Sequence, residues 1–389
     1  MPFYVPILNH LKICHLRNLS EVSLKPNPRF NIIYGANASG KTSLLEAIYV
    51  LGTVRSFRTS KLQFLVSEDQ SAFSVFSEAS MDDGFVHRLG IEKAKRKNLQ
   101  IRIDGQPISS SSHIASMLPI IALDPQSFDL LDGSPQQRRS FLNWLVFHVK
   151  PSYLNAWKDY SRCLKQRNMA LRRGNITRLD IEPWDKLLAR SGAVLEGLKA
   201  DVVADLTSRI SGFMFHSGDR IEKEISLGYQ SGWAQFGAGL SVEQLEALFF
   251  RELDAQFDSD LRQGFTQKGS HRGDLLVRSG KNPAAELLSR GQKKSLIIAM
   301  YLAVSEMVLK FCNKRPIFLL DDLPSELDAQ RLSALCGHLM RLSGQVFITA
   351  VSRNGLAEIQ ELKNKEQCTW FHVKHGSIDE TTKSVETNA

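Results

Sequence analysis

Cysteine is sparse in this chain of 389 residues. The five present, Cys14, Cys163, Cys312, Cys336 and Cys368, are odd in number and form no CxxC pair, which argues against a disulfide framework and against a structural zinc site. Long apolar runs are missing too. A bilayer span needs roughly 18 consecutive apolar residues, whereas the longest candidate here, Leu296 to Leu309, covers about 14 and carries Glu306, so it reads as a buried helix. Pro2, Pro6, His10 and Lys12 stand where a signal peptide needs an unbroken apolar stretch, so a soluble, cytoplasmic protein with no membrane partner is expected. There is no internal repeat, zinc finger, helix-turn-helix or RNP-type aromatic motif, which argues against base-sequence-specific nucleic-acid recognition.

What is present is an ordinary globular composition, 43% hydrophobic and 23% charged, so wholesale disorder is excluded. Lys plus Arg outnumber Asp plus Glu by 49 to 41, a net charge of +8 that suits a polyanionic partner without requiring one. At roughly 150 residues per domain, the length calls for two or three domains, or one core with a large insertion.

The pattern along the chain favours the second arrangement. Alternation over His10 to Cys14 and Val22 to Leu24 predicts strands, as does the apolar run Phe30 to Tyr34, which stops at Gly35. A helix follows, with Leu44, Leu45, Ile48 and Leu51 on one face and Gly52 as its stop. Leu99, Ile101 and Ile103 alternate before a turn at Asp104-Gly105, and Ile120 to Leu123 reads as a short buried strand. Residues 136–210 have the composition of several helices without a sustained heptad. Strand signals return from about 264, then a long apolar helix and the strand Ile317 to Leu320. The expectation is an α/β fold: a discontinuous lobe of residues 1–125 and 264–377, a helical insertion over 126–263, and a polar tail over 378–389.

Three motifs carry chemistry. Gly35-Ala36-Asn37-Ala38-Ser39-Gly40-Lys41-Thr42 matches GxxxxGK[ST] and sits between strand and helix, where a phosphate-binding loop must lie. Glycines let consecutive N–H groups converge on a phosphate at a helix N-terminus. Lys41 is placed to neutralise the terminal phosphates, and the Thr42 hydroxyl to ligate Mg²⁺, with Ser43 next in the helix. The second motif is the apolar strand Ile317 to Leu320 ending in Asp321-Asp322. A buried strand has use for two carboxylates only at its exposed carboxyl end. Asp321 is the candidate Mg²⁺ ligand and Asp322 the candidate group that polarises water. The third is Leu288-Ser289-Arg290-Gly291-Gln292, a second phosphate-binding surface at a helix start. One chain rarely turns two such surfaces on one nucleotide, so Ser289, Gly291 and Gln292 are expected to complete a partner subunit's site. Alone, the pentapeptide would serve equally as a helix cap.

In this order the motifs resemble the ABC-type ATPase heads of the SMC and RecF branch: Walker A, LSxGQ signature, Walker B, then Ser325-Glu326-Leu327-Asp328 as D-loop. The separation of 248 residues from Lys41 to Ser289 is too long for a transporter subunit, and the insertion is too short and irregular for long coiled-coil arms. Ser56-Phe57-Arg58-Thr59, Gly133-Ser134-Pro135 with Arg138-Arg139, and Gly269-Ser270-His271-Arg272 resemble the RecF family in particular. The resemblance implies a P-loop lobe with a helical second lobe, an ATP-dependent homodimer that clamps gapped, single-stranded or double-stranded DNA, slow hydrolysis that releases it, and recombinational repair with RecR, RecO and RecA loading. It brings Arg58 to the nucleotide and offers Gln126 as a Q-loop residue.

There are departures from that pattern. Ala38 replaces a frequent glycine, tolerable if its φ is negative; Gly273 stands where an acidic residue is usual; and no switch histidine follows the strand Val346 to Thr349. Basic clusters at Lys93, Lys95, Arg96 and Lys97, at Arg138-Arg139, and at Arg172, Arg173 and Arg178 are candidates for phosphate contact. An ABC transport subunit and a nucleotide-gated protein-binding module are the alternative readings.

Overall fold

The computed structural model describes residues 6–81, 83–214, 224–233, 239–353, 356, 359, 362–364 and 366–380. In chain order the first elements are β1 (Ile7–Leu16), β2 (Leu19–Leu24), β3 (Phe30–Tyr34), α1 (Lys41–Thr53), β4 (Ala72–Ser80), β5 (Val86–Ala94), β6 (Gln100–Ile103), β7 (Gln106–Pro107), α2 (Ser111–Met117) and β8 (Ile120–Leu123). A helical stretch follows: α3 (Pro135–Val149), α4 (Tyr153–Arg173), α5 (Arg178–Ile210), β9 (Ile225–Gln230), α6 (Val242–Ala255), α7 (Phe257–Gln263), β10 (Asp274–Ser279), β11 (Asn282–Pro283) and α8 (Ala284–Leu287). The last are α9 (Arg290–Cys312), β12 (Ile317–Leu320), α10 (Leu323–Glu326), α11 (Ala329–Leu342), β13 (Val346–Ala350), β14 (Cys368–Lys374) and β15 (Ser377–Glu380).

The described residues form two compact units. One holds those up to Asp129, Phe213 and Met214, and those from Lys294 onward; the other holds Leu130–Gly212 and the described residues of 220–293. This differs from the sequence expectation, which assigned 264–293 to the P-loop lobe. The reason is strand pairing: β10 pairs antiparallel with β9 and β11 and with neither large sheet. Of the expected tail over 378–389, the residues up to Glu380 belong to β15, paired with β14, and 381–389 lie outside the described residues.

The first unit contains two six-stranded sheets. One is antiparallel in the order β2-β1-β4-β5-β6-β7; the other runs β15-β14-β3-β13-β12-β8, parallel except for β15. In β1 the alternation shifts at a bulge between Leu8 and His10, so Leu8, Leu11 and Ile13 all face inward. Their core meets Ile33, Leu319, Phe347 and Phe371 of the parallel sheet through α1, whose Leu44, Leu45, Ala47, Ile48, Val50 and Leu51 are all buried. A helix apolar on every side is one packed on every side. Gly52 does not stop α1. The helix continues to Thr53 and closes on Val54 at φ 57, while Gly52 permits close approach: a Cβ there would lie 2.4 Å from Ile120 Cδ1. By length and composition α9 could cross a bilayer, but 67% of its apolar window is buried inside the protein, as befits a core helix.

In the second unit α5 packs against α3, α4, α6 and β9. Arg167, fully buried, donates to Asp185 at 2.5 Å and Asp260 at 2.6 Å, so its charge is compensated on both sides. The Gly269-Ser270-His271-Arg272 segment docks on the same helices. The Tyr160 hydroxyl meets His271 Nδ1 at 2.8 Å, Lys199 Nζ donates to Ser270 O at 2.8 Å, and Tyr229 donates to Glu196 at 2.6 Å. Gly273 is explained by space, since a Cβ would lie 2.3 Å from the Tyr229 hydroxyl and leave no room for an acidic side chain.

Candidate functional site

The loop between β3 and α1 is clamped from several sides. Gly35 N–H donates to Ala350 O of β13 at 3.3 Å, Gly376 N–H donates to Ser39 O at 3.0 Å, and Asn18 Nδ2 donates to Ala38 O at 2.9 Å. Two glycines are required by contact: a Cβ on Gly35 would lie 2.2 Å from Val373 O, and one on Gly40, whose φ is +120, 2.8 Å from Leu19 Cδ2. Ala36, Asn37 and Ala38 form the exposed tip. Ala38 adopts φ +61, so the condition under which alanine is tolerated freely, a negative angle, is not met: the loop's curl takes a left-handed residue at this position and alanine bears the strain. Ser39 Oγ is buried without a hydrogen-bond partner, an orphan hydroxyl within the curled loop. That combination fits a phosphate.

Lys41 Nζ donates to Gly35 O at 2.7 Å and Ala36 O at 2.9 Å, which holds it across the loop and leaves its third N–H for a ligand. Burial pushes its pKa down, opposed by the charges of Asp322 and Asp321. Next in the helix, Thr42 Oγ1 lies 3.0 Å from both carboxylate oxygens of Asp321. Residues 279 apart in sequence are thus brought together because β12 and β3 are parallel neighbours of β13, with their carboxyl ends on one edge. Burial raises the Asp321 pKa, against hydrogen bonds from Thr349 and Thr42. A carboxylate and a hydroxyl facing each other are a hard-oxygen donor set suited to Mg²⁺. Asp322 takes the left-handed conformation, φ 51, at the start of α10, and its Oδ2 accepts from Ser325 Oγ at 2.9 Å.

An open cleft of about 530 Å³ runs from Gly40, Lys41, Thr42 and Ser43 to Arg17, Asn18 and Arg58. Arg58, which the resemblance assigns to the nucleotide, lines this cleft half exposed, with Nη1 4.0 Å from Glu46. Four residues went unseen in the sequence: Arg17, Asn18, Glu46 and Thr349. Asn18 Oδ1 accepts from Ser43 Oγ at 2.8 Å. Thr349 sits near the point where the switch histidine is lacking, and a polar residue in the apolar run Val346 to Ala350 was the available signal.

The signature segment lies in the second unit. Ser289 is exposed; its Oγ accepts the Gln292 N–H at 3.2 Å while Gln292 Oε1 accepts the Ser289 N–H at 2.9 Å. This is a reciprocal cap at the start of α9, with Arg290 and Gly291 as its first residues. Lys293 Nζ meets Asp132 at 2.6 Å. Gln126 is exposed in a short 3₁₀ turn.

The basic clusters divide. Arg96 and Lys97 are exposed at the β5–β6 turn, and Arg172 and Arg173 at the end of α4. Arg138 instead forms a bidentate pair with Asp274, and Arg178 pairs with Asp254 and Asp258, so both are committed to carboxylates, against the expectation of phosphate contact.

Comparison with known proteins places this geometry in context. Residues 7–369 match the profile of the RecF/RecN/SMC N terminal domain family. The chain is 37% identical over 374 residues to the DNA replication and repair protein RecF of Saccharophagus degradans, covering 96% of this chain and 99% of that one. It is 38% identical over 379 residues to the protein of the same name from Teredinibacter turnerae, covering 96% and 97%. A solved structure of the recombination mediator protein RecF with ATP, of the RecFOR pathway, superposes with a TM-score of 0.88 at 24% identity, covering 98% and 99%. An Smc head domain with an extended coiled coil, bound to the C-terminal domain of ScpA and derived from Pyrococcus furiosus, has a similar fold, with a TM-score of 0.54 at 13% identity and 98% and 97% coverage.

Proposed function

This chain belongs to the RecF family, and from that premise we propose that it is an ATP-gated DNA clamp. It is an ATP-binding protein of DNA replication and repair. The observation that carries the finer reading is the meeting of Thr42 with Asp321 beside the clamped loop, with Lys41 bridging the loop's first carbonyls.

In this reading Gly35 to Thr42 cradle the phosphates, Lys41 offsets their charge, Thr42 and Asp321 hold Mg²⁺, and Ser43 and Arg58 line the rest of the cleft. Bound Mg²⁺ supplies charge neutralisation for phosphoryl transfer. Asp322 orients the attacking water. Its side chain is one methylene shorter than a glutamate and is held by Ser325, which suits slow turnover and a timed release. Ser289, Gly291 and Gln292 of a second copy complete the site, so ATP adds contacts that exist only in the closed homodimer and shifts the monomer–dimer equilibrium. Closure joins exposed basic turns into a surface for gapped, single-stranded or double-stranded DNA, read by backbone and shape. The expected setting is the cytoplasm, with RecR and RecO as partners in RecA loading.

The test is DNA binding by the full chain with and without Mg-ATP, comparing wild type with Lys41→Ala and Asp322→Asn. ATP should tighten binding by wild type, Lys41→Ala should not respond, and Asp322→Asn should stay on DNA. DNA binding indifferent to ATP in all three overturns the clamp.

A further inference from the structure

We propose that Glu46 is a positioning residue for the nucleotide, a buried carboxylate that aims the guanidinium groups of Arg17 and Arg58 into the cleft beside the P-loop. The inference rests on the nucleotide reading above and adds a residue that itself touches no ligand.

Glu46 lies one turn beyond Thr42 in α1 and is fully buried. Arg17 forks onto it, with Nε 3.0 Å from Oε2 and Nη2 3.1 Å from Oε1. Ser56 Oγ donates to Oε1, and the same hydroxyl accepts the N–H groups of Arg58 and Thr59, each at 3.0 Å. Arg58 Nη1 approaches Oε2 to 4.0 Å. One side chain thereby organises two segments far apart in sequence, the turn after β1 and the stretch after α1.

The arrangement is not what anchoring a helix requires. An apolar side chain would bury this position of α1 at lower cost, since a carboxylate removed from water must be compensated by partners. Here the compensating groups are the two arginines that line the cleft with Lys41 and Thr42, and their side chains remain 26% and 48% exposed. Arg17 spends three of its five N–H donors on Glu46 and, at 3.4 Å, on Phe64 O, which leaves two to face a ligand.

Charge and positioning predict opposite signs. Glu46 is an anion near the expected polyphosphate, so through-space repulsion alone would make Glu46→Gln bind ATP more tightly. Loss of aim makes it bind more weakly.

The experiment is calorimetric titration of Mg-ATP into the full chain: wild type, Glu46→Gln, the Arg17→Ala/Arg58→Ala double variant and the triple variant, with Lys41→Ala as control. Glu46→Gln should raise Kd about tenfold in the wild-type background and less than about twofold where both arginines are gone, because the coupling runs through them. Unchanged or tighter binding by Glu46→Gln, or an equal loss in both backgrounds, overturns the proposal. Should Glu46→Gln fail to fold, Ser56→Ala removes one support, its hydrogen bond to Glu46 included, while keeping the carboxylate and its fork with Arg17. It should weaken ATP about threefold only while Arg58 is present, and wild-type affinity in Ser56→Ala overturns the proposal. Wild type and Lys41→Ala binding ATP alike would instead sink the nucleotide reading, and the proposal with it.

Discussion

Thr349 Oγ1 donates to Asp321 Oδ1 at 2.8 Å and accepts the Asp322 N–H at 2.8 Å, so one buried hydroxyl serves both acidic residues at the end of β12. Thr349→Val keeps the volume but takes one donor from Asp321 and leaves the Asp322 N–H without this acceptor, which should cost about 1–3 kcal/mol of stability. ATP turnover should fall about tenfold or more as Asp321 loses its aim. Thr349→Ser should retain both properties. Urea unfolding and steady-state phosphate release measure the two effects.

Ala38 occupies the left-handed region in the phosphate loop. That conformation costs a non-glycine residue about 1–2 kcal/mol, and Ala38→Gly regains this less about 0.4–1 kcal/mol of unfolded-state entropy. The variant should be more stable by up to about 1.6 kcal/mol in urea titration, and a less stable variant would show the loop to be relaxed.

The Ser289 hydroxyl caps α9, and its exposure leaves it available to a second copy. Light scattering with Mg-ATP should convert wild type from monomer to dimer, whereas Ser289→Arg stays monomeric. Ser289→Asp separates the roles, because aspartate caps a helix as well as serine but repels a phosphate. It should unfold like wild type and fail to dimerise.

Burial, helped by the charge of Arg272 and more weakly by Lys199 and Arg139, pushes His271 down to about 4. The unfolded chain, with a histidine pKa of about 6.5, then binds a proton that the fold does not. Stability should be full above pH of about 6.5 and fall as pH drops toward about 4, at no more than about 1.4 kcal/mol per pH unit from this group. His271→Gln should flatten that slope in denaturant titrations at pH 7.5 and 5.

Arg96 and Lys97 face solvent, whereas Arg138 and Arg178 are held by carboxylates. Replacing Lys95, Arg96 and Lys97 by Gln should reduce the slope of log affinity for DNA against log salt by about 2–3, since each phosphate that a cation no longer neutralises takes about 0.9 from it. Arg138→Gln should lower stability and leave the slope alone.

The local chemistry of this protein was legible in its sequence. GxxxxGK[ST] between an apolar strand and a helix, and two aspartates after Leu320, declare themselves because glycine geometry and buried-strand composition are short-range constraints. The class of fold and its helical segment followed from periodicity for the same reason. Tertiary structure alone decided what lies across the sheets. That β10 joins β9, that Gly52 makes room for Ile120, that Ala38 turns left-handed, and that Arg138 faces Asp274 are each fixed by packing or pairing between segments far apart in the chain. The same holds for Glu46, which reads in the sequence as one polar residue in an apolar helix. Only the fold turns Arg17 and Ser56 onto it, because a buried carboxylate is stable only where the whole chain brings compensating charge to it.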